Sequence, residues 1–146
     1  MRKSVPTSVF LLFSMVATVV FTTTAEAQTS ATCNGLTATI VGSGGDDVLE
    51  GTDGDDVIVA FGGNDRIDSG EGDDVICGNS GDDQIWAGFG NNVVIGGEDD
   101  DTIHLSGGGL VFGRAGDVTI EVFGHSPFGD VVVNGGSGND LSLIHI

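Results

Sequence analysis

Basic side chains are the scarcest charged class in this chain, with four Lys and Arg against 22 Asp and Glu in 146 residues. A formal net charge of −18 repels nucleic acid and anionic bilayer surfaces, which excludes partners held through phosphate. Tyrosine is absent, and there are one tryptophan and two prolines. Long apolar runs are missing except for Val9 to Phe21, which falls short of the ~20 residues of a membrane-spanning helix. Stable membrane insertion is therefore not expected. His104, His125 and His145 are scattered, with no HExxH pair for zinc. Gly124-His125-Ser126-Pro127-Phe128 approaches the nucleophile elbow G-x-S-x-G, but Phe128 occupies the last glycine position. Gly107 to Gly109 lacks the lysine of a phosphate-binding loop. No catalytic constellation remains, and the expectation is a protein that is not an enzyme.

The N-terminus has its own composition. Arg2 and Lys3 precede the apolar run, and Ala25-Glu26-Ala27 forms an A-x-A cleavage site. Residues 1–27 thus read as a secretory signal peptide, which makes the expected location extracellular and Gln28 the first mature residue. Its removal takes away Arg2, Lys3 and Glu26. Arg66 and Arg114 then stand against 21 acidic residues, a net charge of 2 − 21 = −19 on 119 residues. That length allows one small domain.

What the chain has in abundance is glycine, 26 residues of it, and its placement is periodic. Stacked from Gly45 in nines, the sequence reads GDDVLEGTD, GDDVIVAFG, GNDRIDSGE, GDDVICGNS, GDDQIWAGF, GNNVVIGGE, DDDTIHLSG. The first column (Gly45, Gly54, Gly63, Gly72, Gly81, Gly90) marks turns with φ > 0 or a close backbone approach. The second column is Asp or Asn, and the third is Asp47, Asp56, Asp65, Asp74, Asp83, Asn92 and Asp101. Two columns on, Leu49, Ile58, Ile67, Ile76, Ile85, Val94 and Ile103 put one branched aliphatic in each repeat. Each repeat reads as a strand of about three residues with one side chain inward, followed by a turn. Helices are excluded, since glycine costs roughly 1 kcal/mol at an interior helical position. Parallel strands ~4.8 Å apart would align the aspartates of successive coils. Such a column repels itself, so that its carboxyls either rise in pKa or require a cation; a hard divalent cation with oxygen ligands answers this, and calcium accepts carboxylates and carbonyls together.

In the phase SGEGDDVIC, AGFGNNVVI, GGEDDDTIH, the stretch from residue 42 to 106 resembles the RTX calcium-binding nonapeptide, GGxGxDxUx with U a large aliphatic. The resemblance implies an all-β, right-handed parallel β-roll with two nonapeptides per coil and several calcium ions between the turns of adjacent coils. It pairs Asp47 with Asp65, Asp56 with Asp74, Asp65 with Asp83, Asp74 with Asn92, and Asp83 with Asp101. It adds turn carbonyls around Gly45, Gly54, Gly63, Gly72 and Gly81 as further ligands. Two departures weaken individual sites: Asn92 offers a neutral oxygen, and Asp99 stands where the last repeat should have its turn glycine.

Residues 28–43 are expected to form an N-terminal capping strand, with Ile40 in phase nine residues before Leu49. Residues 44–106 are the calcium-binding repeats. Residues 107–146 read as degenerate repeats or a cap, with strands at Leu110 to Phe112, Val118 to Val122 and Asp130 to Val133. A good nonapeptide returns at Gly135 to Leu143, but three residues out of phase, so an insertion is expected; the Leu-Ile-His-Ile ending suggests truncation. Two cysteines in an exported chain favour a Cys33–Cys77 disulfide, and resemblance to small secreted bacterial calcium-binding proteins with similar Cys-x-Gly and DVICG segments implies it too. A regular coil places Cys77 beside Val59 and Ile95, on the side opposite an extrapolated Cys33, so two free thiols stay open unless Cys33 leaves the coil. Trp86 is expected on the outer surface, packed there rather than serving as a carbohydrate platform. The function expected is that of a secreted calcium-binding repeat protein folding on calcium. Alternatives are a fragment of a larger exported enzyme or toxin with such repeats, and an adhesive module using Val48, Val57, Val59, Val75 and Val93 as an outward apolar face.

Overall fold

The computed structural model describes residues 30–123 and 129–145. The expected signal peptide, the near-elbow at 124–128 and Ile146 lie outside them. Among the described residues every regular element is a strand. A short antiparallel hairpin comes first, β1 (Thr32–Cys33) with β2 (Leu36–Thr37). From β3 onward the chain alternates between two parallel sheets of six strands each, giving six coils. One sheet holds β3 (Ile40–Val41), β5 (Val57–Gly62), β7 (Val75–Ser80), β9 (Asn91–Glu98), β11 (Gly108–Arg114) and β13 (Val131–Asn134). The other holds β4 (Val48–Thr52), β6 (Arg66–Gly70), β8 (Gln84–Trp86), β10 (Thr102–Leu105), β12 (Thr119–Phe123) and β14 (Leu141–His145). This is a parallel β-roll.

The aliphatic column is the core. Ile58, Ile67, Ile76, Ile85, Val94 and Ile103 are fully buried between the sheets, and Val111 and Ile120 extend the column beyond the regular repeats. Strands β5 and β6 exceed the expected three residues and turn a second side chain inward, Ala60 after Ile58 and Ser69 after Ile67, and Ala87 takes the same place just past the end of β8. Only small residues fit there, because the carboxylate of the third column lies against this position. A Cβ on Gly78 or Gly96 would strike Oδ2 of Asp83 or Asp101.

Coil length explains the offset of the last nonapeptide. Strand partners are 18 residues apart from Ile40↔Ile58 through Cys77↔Ile95. They are 17 apart at Ile103↔Ile120 and Val94↔Val111, and 22 apart at Ile120↔Ser142 and Val111↔Val133. One coil is a residue short and the next is four long, which together give the three-residue shift. The expected single insertion is thus a deletion followed by a longer insertion, both lying between strands that stay paired.

Cys33 does leave the coil. Its hairpin packs on the outside of the first sheet, where Cys33 bonds Cys77 with the two Cα atoms 5.8 Å apart. Val59, Val75, Cys77 and Ile95 are buried beneath it, with Val57 and Val93 packed alongside. Four of the five valines expected to form an adhesive outer face are therefore covered by the protein itself, whereas Val48 is 70% exposed. The hairpin needs this contact, because a pair of two-residue strands cannot hold itself together in water.

On the outside of the second sheet the planar side chains stack along the coil axis. The Arg66 guanidinium lies 3.9 Å from the Trp86 ring centroid, Trp86 stacks on His104 at 5.1 Å, and His104 on Phe123 at 6.0 Å. Glu121 holds His104 Nδ1 at 3.1 Å. Arg66 and His104 take the two sides of the Trp86 ring, so it packs as the sequence suggests and offers no free ring face for a sugar.

Candidate metal sites in the turns

Turns leading from the first sheet into the second form one edge of the roll, and the returning turns form the other. Asp47, Asp65, Asp83 and Asp101 follow one another along the first edge, and Asp56, Asp74 and Asn92 along the second. All five pairs implied by the resemblance are neighbours. Asp47 N–H donates to Asp65 Oδ1 at 2.7 Å, Asp56 to Asp74 at 2.9 Å, Asp65 to Asp83 at 2.9 Å, Asp74 to Asn92 at 2.9 Å, and Asp83 to Asp101 at 3.1 Å. Each third-column side chain reaches back to the preceding coil with one oxygen. The other oxygen decides the chemistry.

That second oxygen, Oδ2, is buried and has no hydrogen-bond partner in Asp65, Asp74, Asp83 and Asp101. A buried carboxylate left unsatisfied costs far more than a satisfied one. Burial accordingly pushes all four carboxyls up, Asp83 to about 6 and Asp101 to about 7. A divalent cation would remove the penalty. No three Asp, Glu, His or Cys side chains converge among the described residues, so such a cation must draw on main-chain carbonyls as well, as calcium readily does. Carbonyl oxygens of Gly63 and Gly72 turn toward the next coil, where they meet the Cα of Gly81 and Gly90 so closely that a Cβ would collide.

Glycine in the first column has that reason to be there. Gly63, Gly72, Gly81 and Gly90 have φ between 106° and 121° and each rests on the turn of the coil before. Gly45 and Gly54 differ from the expectation: neither has positive φ. They sit in the first coil, where no earlier turn presses on them, and their carbonyls accept hydrogen bonds from the Ser43 and Thr52 hydroxyls instead.

The second column has a role that the sequence reading did not assign. Oδ1 of Asp46, Asp55, Asn64, Asp73 and Asp82 accepts the main-chain N–H of Asn64, Asp73, Asp82, Asn91 and Asp100 in the following coil, at 2.8 to 3.2 Å. These side chains reach forward where the third column reaches back. The signal was present in the column's restriction to Asp and Asn, the residues that cap neighbouring N–H groups from a short side chain.

After Asp101 the first edge changes. Val118 takes the third-column place, and its N–H donates to Asp140 Oδ1 at 3.2 Å, across the 22-residue coil. On the second edge Gly109 pairs with Asn92 and brings no side chain. A cleft of about 680 Å³ beside the hairpin is lined by Asn34, Asn79, Glu98 and Arg114 among others, and no third-column residue reaches it.

A family model of the RTX calcium-binding nonapeptide repeat matches the chain in four copies, over residues 41–76, 78–109 and 128–141. No curated protein matches it.

Proposed function

The chain belongs to the RTX calcium-binding nonapeptide repeat family, and on that basis we propose that it is an exported protein whose coils fold as calcium fills the spaces between stacked turns. RTX repeats bind calcium, and a β-roll built of them is a structural calcium-binding module. The observation that carries the folding step is the set of four buried, partnerless carboxylate oxygens at Asp65, Asp74, Asp83 and Asp101. Without a cation the fold must hold these charges apart from water; with one, the same oxygens become ligands. Candidate ligands are the third-column side chains of Asp47, Asp56, Asp65, Asp74, Asp83, Asn92 and Asp101, with the carbonyls of Gly45, Gly54, Gly63, Gly72 and Gly81. Calcium bound only by the folded state stabilises it by mass action. Export is supported by the Cys33–Cys77 disulfide, which persists in oxidising compartments, and by the N-terminal sequence pattern.

Calcium titration of the purified chain tests this, followed by far-ultraviolet circular dichroism and Trp86 fluorescence. β structure should appear at roughly 0.1 to 1 mM calcium, the range of extracellular modules, reverse with chelator, and fail to appear with magnesium. A chain equally folded in chelator and in calcium would refute calcium-driven folding.

A further inference from the structure

Third-column carboxylates fall into two groups by what their second oxygen meets. In the first coil the main chain closes it: Ser43 N–H donates to Asp47 Oδ2 at 2.6 Å, and Thr52 N–H to Asp56 Oδ2 at 2.8 Å. Asp56 is enclosed further, with the Thr52 hydroxyl on Oδ2 at 2.8 Å and the Thr39 hydroxyl on Oδ1 at 2.9 Å. Burial raises its carboxyl, but these donors outweigh burial and hold it below the usual range. In later turns the residue four before the carboxylate is left-handed: Phe61 (φ 79°), Gly70 (88°), Asn79 (81°) and Gly97 (141°). The corresponding aspartates, Asp65, Asp74, Asp83 and Asp101, are the four whose Oδ2 is orphaned.

The second edge has its own remedies for this. Asn92 donates its Nδ2 to the Ala87 carbonyl, supplying from its amide the positive end that a cation would otherwise bring. Next to Asp74 lies Ser69, whose buried hydroxyl is also unpartnered, so each group is the other's available partner. Asp74 is thus flanked along its edge by two turns already closed, Asp56 and Asn92. On the first edge the residues five before Asp65, Asp83 and Asp101 are Ala60, Gly78 and Gly96, which carry no donor.

We propose that calcium is confined to the first edge, in the two inter-coil spaces bracketed by Asp65, Asp83 and Asp101, and that the second edge is closed by the protein's own hydrogen-bond donors. This rests on the calcium-binding reading above and narrows it. Five spaces are flanked by third-column residues, but only these two have a free carboxylate oxygen on both sides. Equilibrium dialysis of the full chain against calcium should therefore give two tightly bound ions. Asp83→Asn, whose side chain borders both spaces, should abolish tight binding. Asn92→Asp removes the amide that closes the Asp74 space and puts a carboxylate in its place, so the count should rise to three. More than two ions on the unmodified chain would overturn the confinement to one edge. No bound ion at all would instead overturn the proposed function. The unmodified count decides the matter even where a variant fails to fold.

Discussion

Removing calcium should make the fold favour acid, and replacing Asp83 and Asp101 by asparagine should abolish that preference. Burial raises these carboxyls from 3.8 to about 6 and about 7. Both therefore fold more readily when protonated: the gain is complete below the unfolded value of 3.8 and disappears as pH rises through 6 to 7. At about 1.4 kcal/mol per tenfold in proton affinity, direct conversion gives roughly 3 kcal/mol for Asp83 and 4 for Asp101. The roll is thin enough for solvent to lie close to each turn, and the two carboxyls are coupled through one ladder. A combined effect on the order of 3 to 4 kcal/mol is accordingly expected. Chemical denaturation in chelator between pH 4 and 8 reads it directly, with stability falling toward pH 8. The double variant Asp83→Asn/Asp101→Asn keeps Oδ1 as an acceptor and adds an N–H, as Asn92 does naturally. Its profile should flatten, and it should be the more stable protein in chelator at pH 8. In calcium the unmodified chain should show the opposite slope, since ligands bind metal deprotonated. A chelated chain that gains stability from pH 5 to 8, or a double variant retaining the full slope, would refute the account of buried unpaired oxygens.

Reduction of Cys33–Cys77, or Cys33→Ser, releases a closure over 44 residues and should cost about 4 kcal/mol by chain entropy, measured as a lowered denaturation midpoint in calcium. Gly81→Ala should cost about 2–5 kcal/mol, because φ is 112° and the new Cβ meets the Gly63 carbonyl. Gly45→Ala, with open space around it, should stay within about 0.5 kcal/mol by the same assay. Ile85→Ala in the middle of the buried column should cost about 2–5 kcal/mol, and Leu49→Ala at the partly exposed end of the core should cost less.

Period and columns were legible because a roll repeats its chemistry at each coil. Nine residues separate Ile58 from Ile67 in sequence, so the aliphatic core could be read from the period; that two nines separate the strand partners Ile58 and Ile76 in space, and with it the five third-column pairs, followed from the family resemblance. Features that depend on one end of the stack could not. Gly45 and Gly54 carry the motif but lack the neighbouring coil that gives it a purpose, and their backbone relaxes. Cys33 and its hairpin lie outside the period, so the chain alone did not show that Val57, Val59, Val75 and Val93 were destined for cover rather than for a partner. The sorting of third-column oxygens into closed and open was also hidden. It depends on the left-handed backbone at residues such as Phe61, a residue type that seldom takes positive φ, and on donors such as Thr39 placed 17 residues from the carboxylate they serve.

The coil of 22 residues also has a practical meaning. Four residues more than the common period enter between β12 and β13, yet the strands on either side remain paired, Val111 with Val133 and Ile120 with Ser142. A connection that already carries extra length between paired strands is a natural place to graft a foreign peptide. An epitope or reporter inserted there would be displayed on a calcium-binding scaffold, and the calcium-driven folding proposed above would make the display switchable.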